Sequence, residues 1–222
     1  ELVKPFLIIS LSLILSSQKY ANIYFKYLFS FLITLIVALL LAAQPDIGQT
    51  LLVFFSWSVL IFTSGISMIF LVILFLSLIS VFFYLVFFIE KFEYIKNRLI
   101  SFINSESGSH NFQSDKALES ISSGGFFGKG IGEGTLKNRV PEAHTDYIIS
   151  VISEEFGVIA IILILLLFLV FIYSIFKKVY FVNEEKTKLV LVGCSSLILM
   201  QAMIHIGVNI RLFPTTGMTL PF

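Results

Sequence analysis

The chain has 222 residues, 57% hydrophobic and 13% charged, with a formal net charge of +1. A soluble domain runs nearer about 45–50% apolar and about 25% charged, so that class is excluded. The near-neutral charge, with no basic patch interleaved with aromatics, leaves no footprint for nucleic acid, and the lone Cys194 excludes a disulfide framework within the chain.

Between Lys26 and Glu90 the only charged residue is Asp46, and charge-free runs of that length read as membrane spans. The first span is expected at 2–17, beginning with Lys4-Pro5. The second, 24–43, ends at Gln44-Pro45-Asp46; proline suits a first helical turn, so a third is expected over 45–64. Gly65 interrupts the pattern, and a fourth span follows at 67–89. Residues 90–145 form one long polar loop, rich in Gly and Ser, before a fifth span at 146–176 and a sixth at 188–208. The expected fold class is all-α: a polytopic membrane helical bundle, one domain over 1–222. Glu1 is not an initiator Met and the end falls just after a turn-like PTTG, so the chain reads as an internal piece of a larger membrane protein.

Orientation follows from the lysines of the short loops. Lys19 and Lys26 fall in 18–26, Lys177, Lys178, Lys186 and Lys188 in 177–188, and none in 44–48. Alternation then puts both lysine-bearing loops in the cytoplasm and loop 90–145 on the opposite side.

Within that loop, Glu90–Asn104 places Phe92, Ile95, Leu99 and Phe102 on one helical face, with Lys91, Lys96 and Arg98 elsewhere. This predicts an amphipathic helix in the membrane interface, the alternative being a plain extension of the fourth helix. The following SSGGFFGKGIGEGTLK is too glycine-rich for a stable helix and reads as a loop shaped by its backbone. Its alternating glycines follow no strand and precede no GK[ST], which rules against a nucleotide fingerprint.

The stretch VPEAHTDYIISVISEEFG carries Glu142, Asp146, Glu154 and Glu155 at the mouth of an otherwise apolar helix. Asp146, Ser150, Ser153, Glu154 and Gly157 fall on one face as a polar stripe, with Glu154 about 12 Å along the axis from Asp146. Such a stripe cannot face lipid, so it looks into the bundle or a wet cavity. The plainer alternative is capping, with Thr145 or Asp146 as N-cap; it explains Asp146 better than Glu154 or Glu155. Lys4 is the expected counter-charge, with Glu1 three residues earlier on its face, although a lysine there also reads as one snorkelling to the interface. Asp46 reads equally as a helix cap. His110, His144 and His205 lack metal-ligand spacing, and His144 reads as a structural or hydrogen-bonding residue beside Asp146, the alternative being a catalytic role.

Five segments together are specific: ELVKP, QPDIGQT, FQSDKALESISSGGFFGKGIGEGTLK, VPEAHTDYIISVISEEFG and NIRLFPTTGMTLPF. In this order and spacing the chain resembles the SEDS family of bacterial membrane proteins (FtsW/RodA/SpoVE), with GEGTLK and TGMTLPF closer to its FtsW branch. The resemblance implies a ten-helix protein of the bacterial cytoplasmic membrane, of which this chain holds helices four to nine. It implies septal peptidoglycan glycosyltransferase activity, polymerising lipid II, with undecaprenyl-pyrophosphate-linked glycan and lipid II as substrates. Implied partners are a class B penicillin-binding protein, other division proteins and membrane lipid. Asp146 matches the aspartate regarded as catalytic, a general base for the acceptor hydroxyl. Lys4 matches a cavity lysine suited to the leaving pyrophosphate, as would a divalent metal such as Mg2+ or Mn2+. Glu1, Glu142, His144, Thr145, Lys137 and Gln113 fall in the matching segments as substrate-cavity candidates, with Ser150, Ser153, Glu154 and Glu155 as a structural stripe. Some members carry a Glu where this chain has Asn138. A RodA-like elongation polymerase, a lipid II flippase and a non-catalytic division scaffold are the competing expectations.

Overall fold

The computed structural model describes residues 2–17, 23–44, 46–104, 109–135, 139, 143–216 and 220–221. These form helices α1 (Val3–Ser16), α2 (Ile23–Ala43), α3 (Ile47–Thr63), α4 (Met68–Phe88), α5 (Glu93–Asn104), α6 (Ser109–Gly124), α7 (Ile148–Phe181) and α8 (Glu185–Asn209), with no strand among the described residues. The helices α2, α4, α7 and α8 are long and apolar enough to cross a membrane; α1 and α3 are shorter apolar helices. The chain divides into two compact units, Glu1–Val72 with Phe168–Gln201, and Ile73–Leu167 with Ala202–Phe222.

In the first unit, α1, α2 and α3 pack against one another. Lys4, Leu7, Ile8, Leu11 and Leu15 form the buried face of α1, and Leu52, Val53, Trp57, Leu60 and Ile61 that of α3. Small hydroxyl residues let these backbones approach and find their partners within their own helix. Ser12 donates to Ile8 O at 2.8 Å, Thr34 to Ser30 O at 2.9 Å and Ser56 to Leu52 O at 2.9 Å. Gly193 of α8 leaves the same room, since a Cβ there would stand 2.5 Å from Ile8 Cγ2 and 2.8 Å from Leu60 Cδ2. The α2–α3 contact is fixed by Trp57, whose Nε1–H donates to Ser30 Oγ at 3.1 Å while its ring lies 5.3 Å from that of Phe31. Trp57→Phe loses the bond and trims a fully buried ring; it is expected to lower stability by about 2–3 kcal/mol. Thermal melting in detergent checks this, and an unchanged midpoint would show the bond to be neutral.

Two local expectations concern the helix starts. Asp46 caps α3, its Oδ1 accepting from Gln49 N at 3.0 Å, so the helix begins at Ile47. Ile89 takes an extended conformation and a 3-10 turn follows at Glu90–Phe92, so α5 is a helix of its own and not an extension of α4. Its Ile95 is buried, and α5 packs against α6.

Helix α6 is a second helix within 90–145, one that the sequence reading did not expect. Its buried positions are Ser114, Ala117, Ser120 and Gly124, a stripe of small residues that hydrophobic periodicity does not register. On its exposed side Lys116 Nζ lies 2.5 Å from Glu119 Oε2, and this hydrogen bond, with the lysine charge, holds the Glu119 carboxyl below its ordinary range. Exposed pairs of this kind stabilise little.

The fifth expected span is matched by α7, which starts at Ile148 and carries an unexpected break at Gly157, where φ is 79° and ψ is −178°. Its two halves are joined through the loop that follows α6. Lys129 N donates to Glu154 O at 2.9 Å and Gly130 N to Glu155 O at 3.1 Å; Val158 N donates to Gly125 O at 3.0 Å and Ile159 N to Phe126 O at 3.5 Å. In a continuous helix Glu154 O and Glu155 O would accept from Val158 N and Ile159 N. The loop takes over both carbonyls and both amides, so the break leaves none of the four orphaned.

Candidate functional site

The mouth of α7 is assembled within the second unit by three neighbours: α6 with its loop, the end of α8 and the turn after it. The polar stripe is graded in exposure. Ser150, Ser153, Glu154 and Gly157 are buried, whereas Asp146 is partly exposed.

Below the mouth, Glu154 is 1% exposed and its Oε1 accepts from Lys129 Nζ at 2.8 Å and from Thr135 Oγ1 at 3.1 Å. Both partners come from the glycine-rich segment, twenty-five and nineteen positions away. A buried carboxylate is tolerable only with a cation and donors of this kind. Gly124 and Gly128 allow the approach, since a Cβ would stand 2.0 Å from Ser153 O and 2.2 Å from Glu155 O respectively. The Ser153 hydroxyl is buried without a hydrogen-bond partner among the described residues.

At the mouth itself the organising residue is Asn209, fully buried at the end of α8. Its Oδ1 accepts from Ser150 N at 3.1 Å and Ser150 Oγ at 2.7 Å, and its Nδ2 donates to Asp146 O at 3.0 Å and His205 O at 2.8 Å. His205 Nε2 lies 3.3 Å from Thr145 O; a carbonyl only accepts, so Nε2 carries the proton. Thr145 and Asp146 both lie in the turn before Ile148, and the first-turn amide of Ser150 is met by Asn209 from another helix as well as by Tyr147 O at 3.0 Å. Asp146 is thus held by its main chain.

The turn after α8 is tied back twice. Leu212 N and Phe213 N both donate to Gly207 O, at 2.7 and 3.2 Å, and Phe213 covers Gly207, where a Cβ would meet its ring at 2.3 Å. Arg211, at φ 57°, pairs with Asp115 of α6.

Of the residues expected at the site, His144 and Thr145 are exposed beside Asp146, Glu155 is half-buried below it, and Gln113 is half-buried on α6. Lys4 is buried in the first turn of α1 and belongs to the first unit; its role toward a pyrophosphate rests on the resemblance alone. Glu1, Lys137 and Glu142 lie outside the described residues. Asn209, Lys129 and Thr135 were not among the expected site residues, although NIRLF and GKGIGEGT held them in view. No three His, Cys, Asp or Glu side chains converge as a metal-holding group among the described residues.

Fold and composition define a multi-pass helical membrane protein with a polar, externally braced helix mouth. A family model described as cell cycle protein, FtsW/RodA/SpoVE, matches residues 1–222, and the chain belongs to that family. It is 31% identical over 222 residues to the probable peptidoglycan glycosyltransferase FtsW of Caulobacter vibrioides, covering 100% of this chain and 56% of that one. The FtsW proteins of Hydrogenovibrio crunogenus, 33% identical, and Bacillus subtilis, 31% identical, cover 84% and 85% of this chain and 49% of their own length. The chain therefore spans about half the length of the curated relatives it matches. A chain from a peptidoglycan synthase complex has the same fold, with a TM-score of 0.78 at 24% identity, covering 99% of this chain and 61% of that one.

Proposed function

We propose that the protein to which this chain belongs is a peptidoglycan glycosyltransferase that polymerises lipid II during septal wall synthesis in the bacterial cytoplasmic membrane. Loop 90–145 then lies on the extracytoplasmic side. The observation that carries this reading is Asp146, the partly exposed residue of a stripe whose other members are buried, with a backbone braced by Asn209. In inverting transfer its carboxylate accepts the proton of the acceptor 4-hydroxyl as that oxygen attacks the donor anomeric carbon. The bond from that carbon to the pyrophosphate breaks, and undecaprenyl pyrophosphate leaves. The relatives' name supports the reaction class, and membership of a synthase complex by the fold neighbour supports a class B penicillin-binding protein as partner.

Asp146→Asn keeps the size and loses the base. Lipid II polymerisation by the full-length protein is expected to fall by about 10²–10⁴-fold, with expression and membrane insertion unchanged. Polymer at the parental rate would sink the assignment; lipid II crossing vesicles with no polymer from the parent would replace it with a flippase.

A further inference from the structure

The loop that mends α7 carries a second feature that the site does not use. Phe126, Phe127 and Ile131 are 75%, 83% and 81% exposed, on a turn whose backbone is fixed by hydrogen bonds. A turn of a water-facing loop gains nothing by displaying three large apolar side chains.

Their depth relative to the membrane follows from the helix they are tied to. The run Gly157–Phe176 contains twenty residues and no charge, followed directly by Lys177 and Lys178. At 1.5 Å per residue it is about 30 Å long, the thickness of the hydrocarbon core. With the two lysines at one interface, Gly157 lies at the other boundary of the hydrocarbon. The bonds from Val158 N to Gly125 O and Ile159 N to Phe126 O hold the loop at that same level. Phe156 and Ile159, exposed on α7 at the break, extend the apolar surface, while Lys129 turns inward to Glu154.

We propose that Gly125–Gly132 is a membrane wedge, with Phe126, Phe127 and Ile131 inserted among the phospholipid acyl chains of the leaflet where α7 enters the bilayer. The occupant is lipid because the side chains sit at the hydrocarbon boundary, continuous with the lipid-facing surface of α7. The wedge anchors from outside the same loop that binds Glu154 from inside. This inference rests on the membrane topology and not on the glycosyl-transfer reading.

The test is site-directed spin labelling of the full-length protein with native cysteines replaced, Cys194→Ser among them, in phosphatidylethanolamine–phosphatidylglycerol vesicles. Labels are placed at Phe127→Cys, at Ile131→Cys and, for reference, at Glu133→Cys on the same loop. Collision with oxygen, relative to a water-soluble nickel chelate, is expected to be several-fold higher at 127 and 131 than at 133. Ratios equal to that at 133 would overturn the wedge by placing the tip in water. Protection from both reagents would overturn it in favour of a protein partner. Thermal stability of each labelled protein, expected unchanged at these exposed sites, confirms that the fold is the one being probed, and either label suffices to decide.

Discussion

Gly157→Ala is expected to be strongly destabilising, at about 3–5 kcal/mol. Two costs combine. At φ 79° and ψ −178° the residue occupies a region that only glycine enters freely, worth about 1–3 kcal/mol to any other side chain. The new Cβ would also stand 2.2 Å from Phe126 O and 2.6 Å from Gly128 N, and backbone in a locked loop cannot yield without breaking the bonds that lock it. The cheapest response is for α7 to heal into a continuous helix and expel the loop, since alanine is the best helix former. Hydrogen exchange reads this directly: amides of Lys129 and Gly130 lose protection and the melting midpoint falls. Gly125→Ala separates the two costs, because φ is 58° there but no atom lies within 4 Å of the added Cβ. That variant is expected to lose only about 1–2 kcal/mol. Equal effects at both positions would overturn the steric account.

The second large effect is expected at Asn209. Asn209→Ala removes four hydrogen bonds at a fully buried position and leaves Ser150 Oγ and Asp146 O without that partner, at a cost of about 2–4 kcal/mol. Asn209→Asp is more informative. It keeps the acceptor for Ser150 but turns the donor toward Asp146 O into an oxygen that repels it. On the proposed glycosyl-transfer reading, the full-length protein is expected to fold, with turnover of lipid II lower by about 10–100-fold and apparent KM little changed, because an ångström's displacement of a general base costs that much. A parental rate in Asn209→Asp would show that the brace is structural only.

The contrast between these two residues explains what could be read from the chain. Charge-free runs announce helices in lipid because no other backbone conformation satisfies its polar groups there, so α2, α4, α7 and α8 were legible from composition. Gly157 was read as one more member of the stripe. Glycine is common in membrane helices, and only contact with a loop some thirty positions earlier makes this one a break. The carboxylate of Glu154 was recognised as needing a partner, but periodicity along one helix cannot reach Lys129. The stripe of α6 was invisible because serine, alanine and glycine are buried there for being small. Asn209 lies at the seam of a helix end and a turn, where a lone asparagine reads as a stop signal.

The exchange of amides and carbonyls at Gly157 has one more consequence. Peeling the loop away would expose four backbone groups at the edge of hydrocarbon, where each unsatisfied group costs several kcal/mol and water is scarce. Segment 125–130 and the break in α7 therefore open together or not at all. In kinetic terms this connecting segment belongs to the slowest-exchanging part of its unit, like a central strand in a soluble core, and it stays closed to proteases that cut ordinary loops.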